Sequence, residues 1–512
     1  MSKLVLLATI TVFVFLIQVA RAEVKLPAVI SDHMVLQQGM KVPLWGWAQP
    51  GETVTIALAD QRSRTTADAQ GRWIVRLNPL KTGGPFDLTV TGKNTIKVRD
   101  VLIGEVWFGS GQSNMQWPVH ASRDAAKEIG AANYPKIRLF HVDEVIAETP
   151  LEDVRGQWVS CSPETVGSFS AVSYFFGRNL HKTLNVPVGL IYSSFGGSPS
   201  ESWTRYDELK AHQEFKPLLN YWKNRLASYP EKMKQYERDL AQWEQGAKKA
   251  KEANQVPPAK PRKPYGKNNP NLPGVLYNGM IHPIIPFGIR GVIWYQGESN
   301  SYRAFQYRRL FPLLIHSWRR DWGQGDFPFL FVQLPNYGGA RAYTYAELRE
   351  AQLLTLKTVP NTGMAVTIDI GEANDIHPQN KQDVGYRLSL IALAKVYGRG
   401  EAYSGPVYDS MQIKDHKVYL RFKHADGGLI VRGGPLKGFA IADRKNMNFV
   451  PAEAKIEGDT VVVWNDKIVH PVAVRYAWAD NPECNLYNGA ELPAGPFRTD
   501  DWPGGTDNNN VQ

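Results

Sequence analysis

Apolar and polar positions along this chain change their rhythm twice. Between residues 23 and 104, the runs "KVPLWGWA", "ETVTIALA", "RWIVRL", "FDLTVTG" and "TIKVRDVLIG" are each long enough for one strand, and "QPGE", "DAQG" and "KTGGP" separate them. Glycine, proline and aspartate in those gaps are turn chemistry, and no helical period of useful length interrupts the runs. The stretch predicts an N-terminal β domain of sandwich type over 23–104.

From 105 to 399 apolar strand-like runs alternate with helix-like ones. "EVWFGS", "KIRLFHV", "VPVGLIYSS", "GVIWYQ", "FPFLFVQL" and "TGMAVTIDI" are the strands; "AVSYFFGRNLHKTL", "YRAFQYRRLFPLLIHSW", "YAELREAQLLTLKTV" and "KQDVGYRLSLIALAKVYG" are the helices. Strands that are apolar throughout, with helices between them, predict a parallel sheet covered on both faces. In the last helix Val384, Leu388 and Ile391 fall on one face. Pro312 predicts a break or kink in its helix. Residues 206–272 interrupt the pattern with a polar helix, "YPEKMKQYERDLAQWEQGAKKAKEA", and a proline-rich connector, and read as an insertion. Strand-like runs return after 400 in "HKVYLRFKH", "LKGFAIAD", "TVVVWN" and "PVAVRYAWAD", predicting a C-terminal β domain and tail over 400–512. No repeat of fixed period stands out.

Composition adds a compartment. Lys3, an apolar run from Leu4 to Ala20 and the small-x-small triplet Ala20-Arg21-Ala22 have the form of a cleavable signal peptide, so residues 1–22 are set apart and the mature chain is expected to be exported, periplasmic or secreted, without a membrane anchor. The net charge of +10 invites a nucleic-acid reading. Yet residues 206–270 hold fourteen Lys/Arg against eight Asp/Glu, and Lys3 and Arg21 leave with the leader. A surplus gathered in one polar segment is a solvated helical face, and no nucleic-acid partner is expected. Fifteen tryptophans suit core packing first and sugar-facing surfaces second. Two distant cysteines, Cys161 and Cys484, leave a disulfide open, and no metal-ligand spacing occurs.

In a parallel α/β sheet, ligands bind at the carboxyl ends of the strands. Four loops there are unusual: "GSGQSNM", "SSFGGSPSESW", "YQGESNS" and "DIGEANDIHP". Ester hydrolysis needs an activated hydroxyl, a base and donors for an oxyanion. Ser113 offers the hydroxyl, His377 the base, and Gly196, Gly197 and Gln296 the donors. "GQSNM" is not the GxSxG of the α/β-hydrolases, and "GSGQSN" lacks the third glycine of a dinucleotide fingerprint.

"GQSNM", "WYQGESN" and "DIHPQNKQDVGYRL" resemble the sequence blocks of the sialate O-acetylesterase family, within the SGNH hydrolase class. The opening "VISDHMVLQQGMKVPLWGWAQPGETVTI", the central "WVSCSPETVGSFSAVSYFFGRNL" and the late "NLYNGAELPAGPFRTDDW" extend the resemblance over nearly the whole mature chain. It implies an α/β fold, a flavodoxin-like SGNH hydrolase domain with a parallel sheet, flanked by N- and C-terminal β-sandwich-like domains. It implies deacetylation of sialic acids or related sugars, without a cofactor, by Ser113 as nucleophile and His377 as base, with Gly197 or Gly196 and Gln296 as oxyanion donors and Asn114 and Glu298 as further oxyanion or substrate-binding residues. Acetylated xylan or another acetylated glycan is the alternative substrate, and a non-catalytic carbohydrate-binding protein the distant alternative. Many SGNH enzymes carry Asp three residues before the histidine; here that position is Asn374. Asp375 is then the first choice of acid, with Asp369, Glu372 or a backbone carbonyl as alternatives. Asp383 reads as a helix-start carboxylate above the N-cap Asn380.

Overall fold

In the computed structural model, which describes residues 23–511 apart from 341–343, 401 and 446, one strand joins what the sequence separates. Thr95–Gly111 runs for 17 residues. Its first half pairs antiparallel with Gly83–Thr91; its second lies at the centre of the main sheet. The chain therefore passes residue 104 with no linker. Gln61–Thr66, "QRSRTT", escaped the sequence reading because it has no apolar residue; it is an edge strand on Thr53–Leu58.

The main sheet runs in the order Thr362–Ala365, Phe329–Val332, Gly291–Tyr295, Thr95–Gly111, Val188–Ser194, Tyr134–His141, Trp158–Cys161. The first six are mutually parallel, but Trp158–Cys161 is antiparallel to its neighbour, so the sheet is mixed rather than wholly parallel. The chain reaches that edge strand through a loop with no helical crossover, and a parallel return would need one.

Neighbouring residues of a strand face opposite ways, and the centre of the sheet shows what covers each face. Trp107 meets Phe176 of helix Ala171–Leu184 edge to face, whereas Phe108 meets Trp318 of helix Ala304–Trp322. Helix Lys381–Lys395 packs on the first of these, and a Cβ at Gly385 would come within 2.6 Å of Phe175 Cβ. Only glycine permits that approach. Val384, Leu388 and Ile391 are all buried, as their spacing predicts. The helix containing Pro312 is not broken: Ala304–Trp322 is continuous. Leu310, Phe311, Leu314 and Ile315 are fully buried around the proline, and that packing offsets one missing backbone hydrogen bond. Trp107, Trp203, Trp294 and Trp318 are also fully buried, as core tryptophans.

Within the insertion, helix Tyr229–Glu252 has no buried residue, as its polar sequence predicts. The preceding turns do anchor, through Leu209, Phe215, Leu218 and Trp222. The C-terminal region forms two four-stranded sheets around Val418, Ile441, Val461 and Val474. It is fastened to the main body: the buried Arg349 guanidinium donates to Ala479 O and Asp480 O, both at 2.8 Å. The expected leader lies outside the described residues. Among the described residues, no helix is long and apolar enough to cross a membrane, and Cys161 and Cys484 are unpaired.

Candidate active site

Ser113 opens a single helical turn, Ser113–Gln116, at the end of the central strand. As the first residue of a helix, its backbone N–H has no intrahelical acceptor. Its hydroxyl meets His377, Nε2 to Oγ, at 2.9 Å. The two residues are 264 positions apart, and the sheet brings their loops together.

Carboxamide side chains bind the four loops to one another. Gln112 Oε1 accepts from Gly297 N and Ser299 N, both at 3.3 Å, joining "GQSN" to "QGESN". Asn114 Nδ2 donates to Ile376 O at 2.9 Å and to Glu298 Oε1 at 2.6 Å, joining the same turn to the histidine loop. Asn300 Oδ1 accepts from Ser200 N at 2.8 Å and Asn300 Nδ2 donates to Glu201 Oε2 at 2.9 Å, which fixes the segment after "FGGS". Beneath it Glu201 pairs with Arg303, each side chain 1% exposed.

Gly196 lies directly beside Ser113. A Cβ built there would be 3.7 Å from Ser113 Cβ and 2.8 Å from Gln116 Oε1, so a side chain would intrude on the site. Gly197, at φ +71, is exposed in the same turn, in a backbone region that glycine adopts without strain.

Gln296 is fully buried. Its Nε2 donates to Asn300 Oδ1 at 2.7 Å and Ser198 O at 3.3 Å, and its Oε1 accepts from Tyr307 at 3.0 Å. One amide hydrogen holds the Ser198 carbonyl after the glycine turn and the other the Asn300 side chain, so here the amide has none left to offer an oxyanion. Asn114 is likewise fully buried, and although Glu298 as a residue is partly exposed, its carboxyl is enclosed. Burial raises the pKa of that carboxyl, and its Oε2 has no hydrogen-bond partner among the described residues. Both polar ends are turned inward, toward each other and the histidine loop.

The candidate acids separate cleanly. Asp375 Oδ1 lies 3.8 Å from His377 Nδ1, an ion-pair distance rather than a hydrogen bond, and accepts instead from His377 N at 2.8 Å. Asp369 is committed elsewhere, to Arg387 through 2.6 and 2.7 Å contacts and to Tyr487 Oη at 3.1 Å. Glu372 Oε1 accepts from Gln379 N at 2.9 Å, bracing the loop. Asn380 caps the following helix by accepting from Asp383 N at 3.2 Å, as its sequence position predicts.

Two neighbours of His377 were missed from sequence. Trp117 stacks on the imidazole, with centroids 5.0 Å apart and planes at 15°. Lys381 is fully buried and its Nζ donates to Asn114 Oδ1 at 2.6 Å. Neither shares a helix with the candidate it serves, since Trp117 lies just past the turn Ser113–Gln116 and Lys381 opens the helix after the histidine loop, so no periodicity in the sequence flagged them. Burial, with Lys381 adding a like charge, holds the His377 pKa below the ordinary histidine value; Asp375 opposes this.

A cavity of about 780 Å³ lies apart from this centre, between the insertion and the main body. Tyr277 Oη donates to Asp321 at 2.6 Å and Arg205 to the same carboxylate at 3.1 Å, so its central polar groups are already paired.

Comparison with known proteins agrees with the geometry. Residues 267–391 match the family described as carbohydrate esterase, sialic acid-specific acetylesterase. The sialate O-acetylesterases of Mus musculus and Homo sapiens are each 32% identical, over 91% and 93% of this chain and 93% of their own. The crystal structure of a carbohydrate acetylesterase from Xanthomonas citri superposes with a TM-score of 0.79 at 38% identity, over 94% of this chain and all of that one. With a serine and a histidine in contact at the ends of the sheet and this likeness along nearly its whole length, the chain belongs to the sialate O-acetylesterase family.

Proposed function

We propose that this protein is a carbohydrate O-acetylesterase that removes acetyl groups from hydroxyls of sialic acids, exported by its N-terminal leader. The observation that carries the reading is the 2.9 Å contact between Ser113 Oγ and His377 Nε2 in a member of this family.

The chemistry follows from that contact. His377 is neutral at neutral pH, because its pKa is depressed, and so can accept a proton at Nε2. Ser113 Oγ attacks the acetyl carbonyl carbon while its proton passes to His377. The carbonyl oxygen becomes an oxyanion, with the backbone N–H of Ser113 and that of Gly197 or Gly196 as its donors. Collapse breaks the bond to the sugar oxygen, which takes the proton from His377 and leaves as the free hydroxyl. Water, deprotonated by the same imidazole, then attacks the acetyl-serine; collapse breaks the bond to Ser113 Oγ, which takes the proton back from His377, and acetate leaves. Gln296 underpins the glycine loop through Ser198 O, and Asp375 biases the imidazole electrostatically. Trp117 fixes the plane of the ring.

The test is acetate release from 9-O-acetylated sialic acid by the mature protein, beside Ser113→Ala and beside acetylated xylan. Release that vanishes in the variant supports the chemistry. Faster release from xylan would move the substrate to plant glycans, and labelling of wild type by a fluorophosphonate without any release would point to another ester.

A further inference from the structure

Among the buried ionisable groups that the mechanism does not use, Lys381 lies beside the Ser113–His377 pair. Lys381, the first residue of its helix, is wholly enclosed, four residues after His377. Its Nζ donates to Asn114 Oδ1 at 2.6 Å, and the Asn114 amide donates onward to Glu298 Oε1 at 2.6 Å and Ile376 O at 2.9 Å. A carboxamide between an ammonium and a carboxylate has one favourable orientation: oxygen to the cation, nitrogen to the anion. That orientation points the second amide hydrogen at the carbonyl preceding His377. The same Nζ lies 5.8 Å from the ring centroid of Trp117, which stacks on His377, and 5.6 Å from that of Tyr295.

We propose that Lys381 is a positioning residue for the Ser113–His377 pair, orienting Asn114 so that it ties the nucleophile turn to the histidine loop and placing a positive charge that keeps the imidazole neutral. The assignment rests on the esterase reading. Chemically it answers a difficulty: an acid at 3.8 Å from Nδ1 restrains the ring only loosely, and a second device is needed to hold its loop in place. Glu298, Glu372 and Asp375 are the acids that face Lys381, while Asp375 and Lys381 are the charges that face His377. Burial brings the lysine pKa down to about 7, so its charge is at stake in the working range. A lysine buried for packing alone would not require this arrangement.

Two variants separate its two tasks. Lys381→Met removes both charge and donor; Lys381→Gln removes the charge and keeps a donor for Asn114 Oδ1. His377 is followed by NMR in the full mature chain labelled at histidine, with its signal identified by loss in His377→Gln. In both variants the His377 pKa is expected to rise by about half a unit or more, since a neighbouring like charge has gone. Turnover is expected to fall roughly 10- to 100-fold in the Met variant with KM little changed, and less in the Gln variant. An unchanged His377 pKa in either folded variant overturns the proposal. Equal turnover in the two overturns the orienting role. Should neither variant fold, the wild-type titration decides: a His377 pKa at or above about 6.5, or a His377 signal with no second inflection, overturns it, and a second inflection at about pH 7, as the neighbouring lysine loses its proton, supports it. Because the titration needs no substrate, a wild-type protein that releases no acetate from any glycan sinks the esterase reading separately.

Discussion

Truncating Gln296 distinguishes a floor from a donor. In Gln296→Ala the buried site loses three hydrogen bonds, to Asn300 Oδ1, Ser198 O and Tyr307 Oη. Asn300 Oδ1 keeps Ser200 N at 2.8 Å and the Tyr307 hydroxyl keeps a long 3.5 Å contact to the backbone oxygen of residue 296, so the Ser198 carbonyl is stranded and Tyr307 is weakened. A buried orphan costs about 1–3 kcal/mol and the weakened Tyr307 contact about 1 more, for a total of roughly 2–4 kcal/mol, somewhat less if water enters. Thermal unfolding of the variant should therefore begin several degrees lower. Turnover should fall only as far as the glycine turn loosens, about tenfold. A donor that touched the oxyanion would behave oppositely, losing about 10²–10³ in kcat with little change in stability. Parallel melts and initial rates of acetate release on one preparation give both numbers. A 10²-fold loss of kcat with an unchanged Tm would refute the assignment of Gln296 to the floor and return its amide to the oxyanion.

Ser113→Ala should abolish both acetate release and labelling by a fluorophosphonate, read by mass spectrometry of the intact protein. Asp375→Asn should cost about 10- to 100-fold in kcat/KM, because the carboxylate sits at ion-pair distance; a loss near 10⁴ would mean that it closes to a hydrogen bond when substrate binds. The acid limb of the kcat/KM profile should lie below about 6.5, since a depressed His377 pKa keeps the base neutral until the pH falls through it; a limb above 7 contradicts this. Arg387→Ala should destabilise by about 3 kcal/mol, because Asp369, whose side chain is 9% exposed, loses its bidentate partner and keeps only Tyr487 Oη. Denaturant titration monitored by tryptophan fluorescence measures it.

How much of this could be read from sequence follows from what each feature depends on. The helices Ala171–Leu184 and Lys381–Lys395 and the apolar strands were legible because their signal is local periodicity. The polar edge strand Gln61–Thr66 was not, since it is held by pairing rather than by burial. The continuity of Thr95–Gly111 was hidden by its change of surroundings, from a half-exposed alternation before residue 101 to unbroken burial after it. In the site, Ser113 and His377 stood out by their loops, but no local rule tells whether an amide beside them faces in or out. Gln296 is the case in point: its direction depends on Asn300 and Tyr307, four and eleven residues further on, and on the turn at Ser198.

That dependence has a physical logic. Gln112, Asn114, Gln296 and Asn300 each carry a donor and an acceptor without a net charge, so each can join two loops without shifting the pKa of the imidazole. The ionisable side chains sit one layer below: Glu201 with Arg303 under the glycine loop, and Glu298 with Lys381 on either side of Asn114. The first pair is mutually neutralised at contact distance, so it anchors without reaching the site. The second is held apart by an amide, so its field is not cancelled locally and falls on His377. Replacing a member of the first pair should therefore act on stability, and replacing Lys381 on the titration of the base.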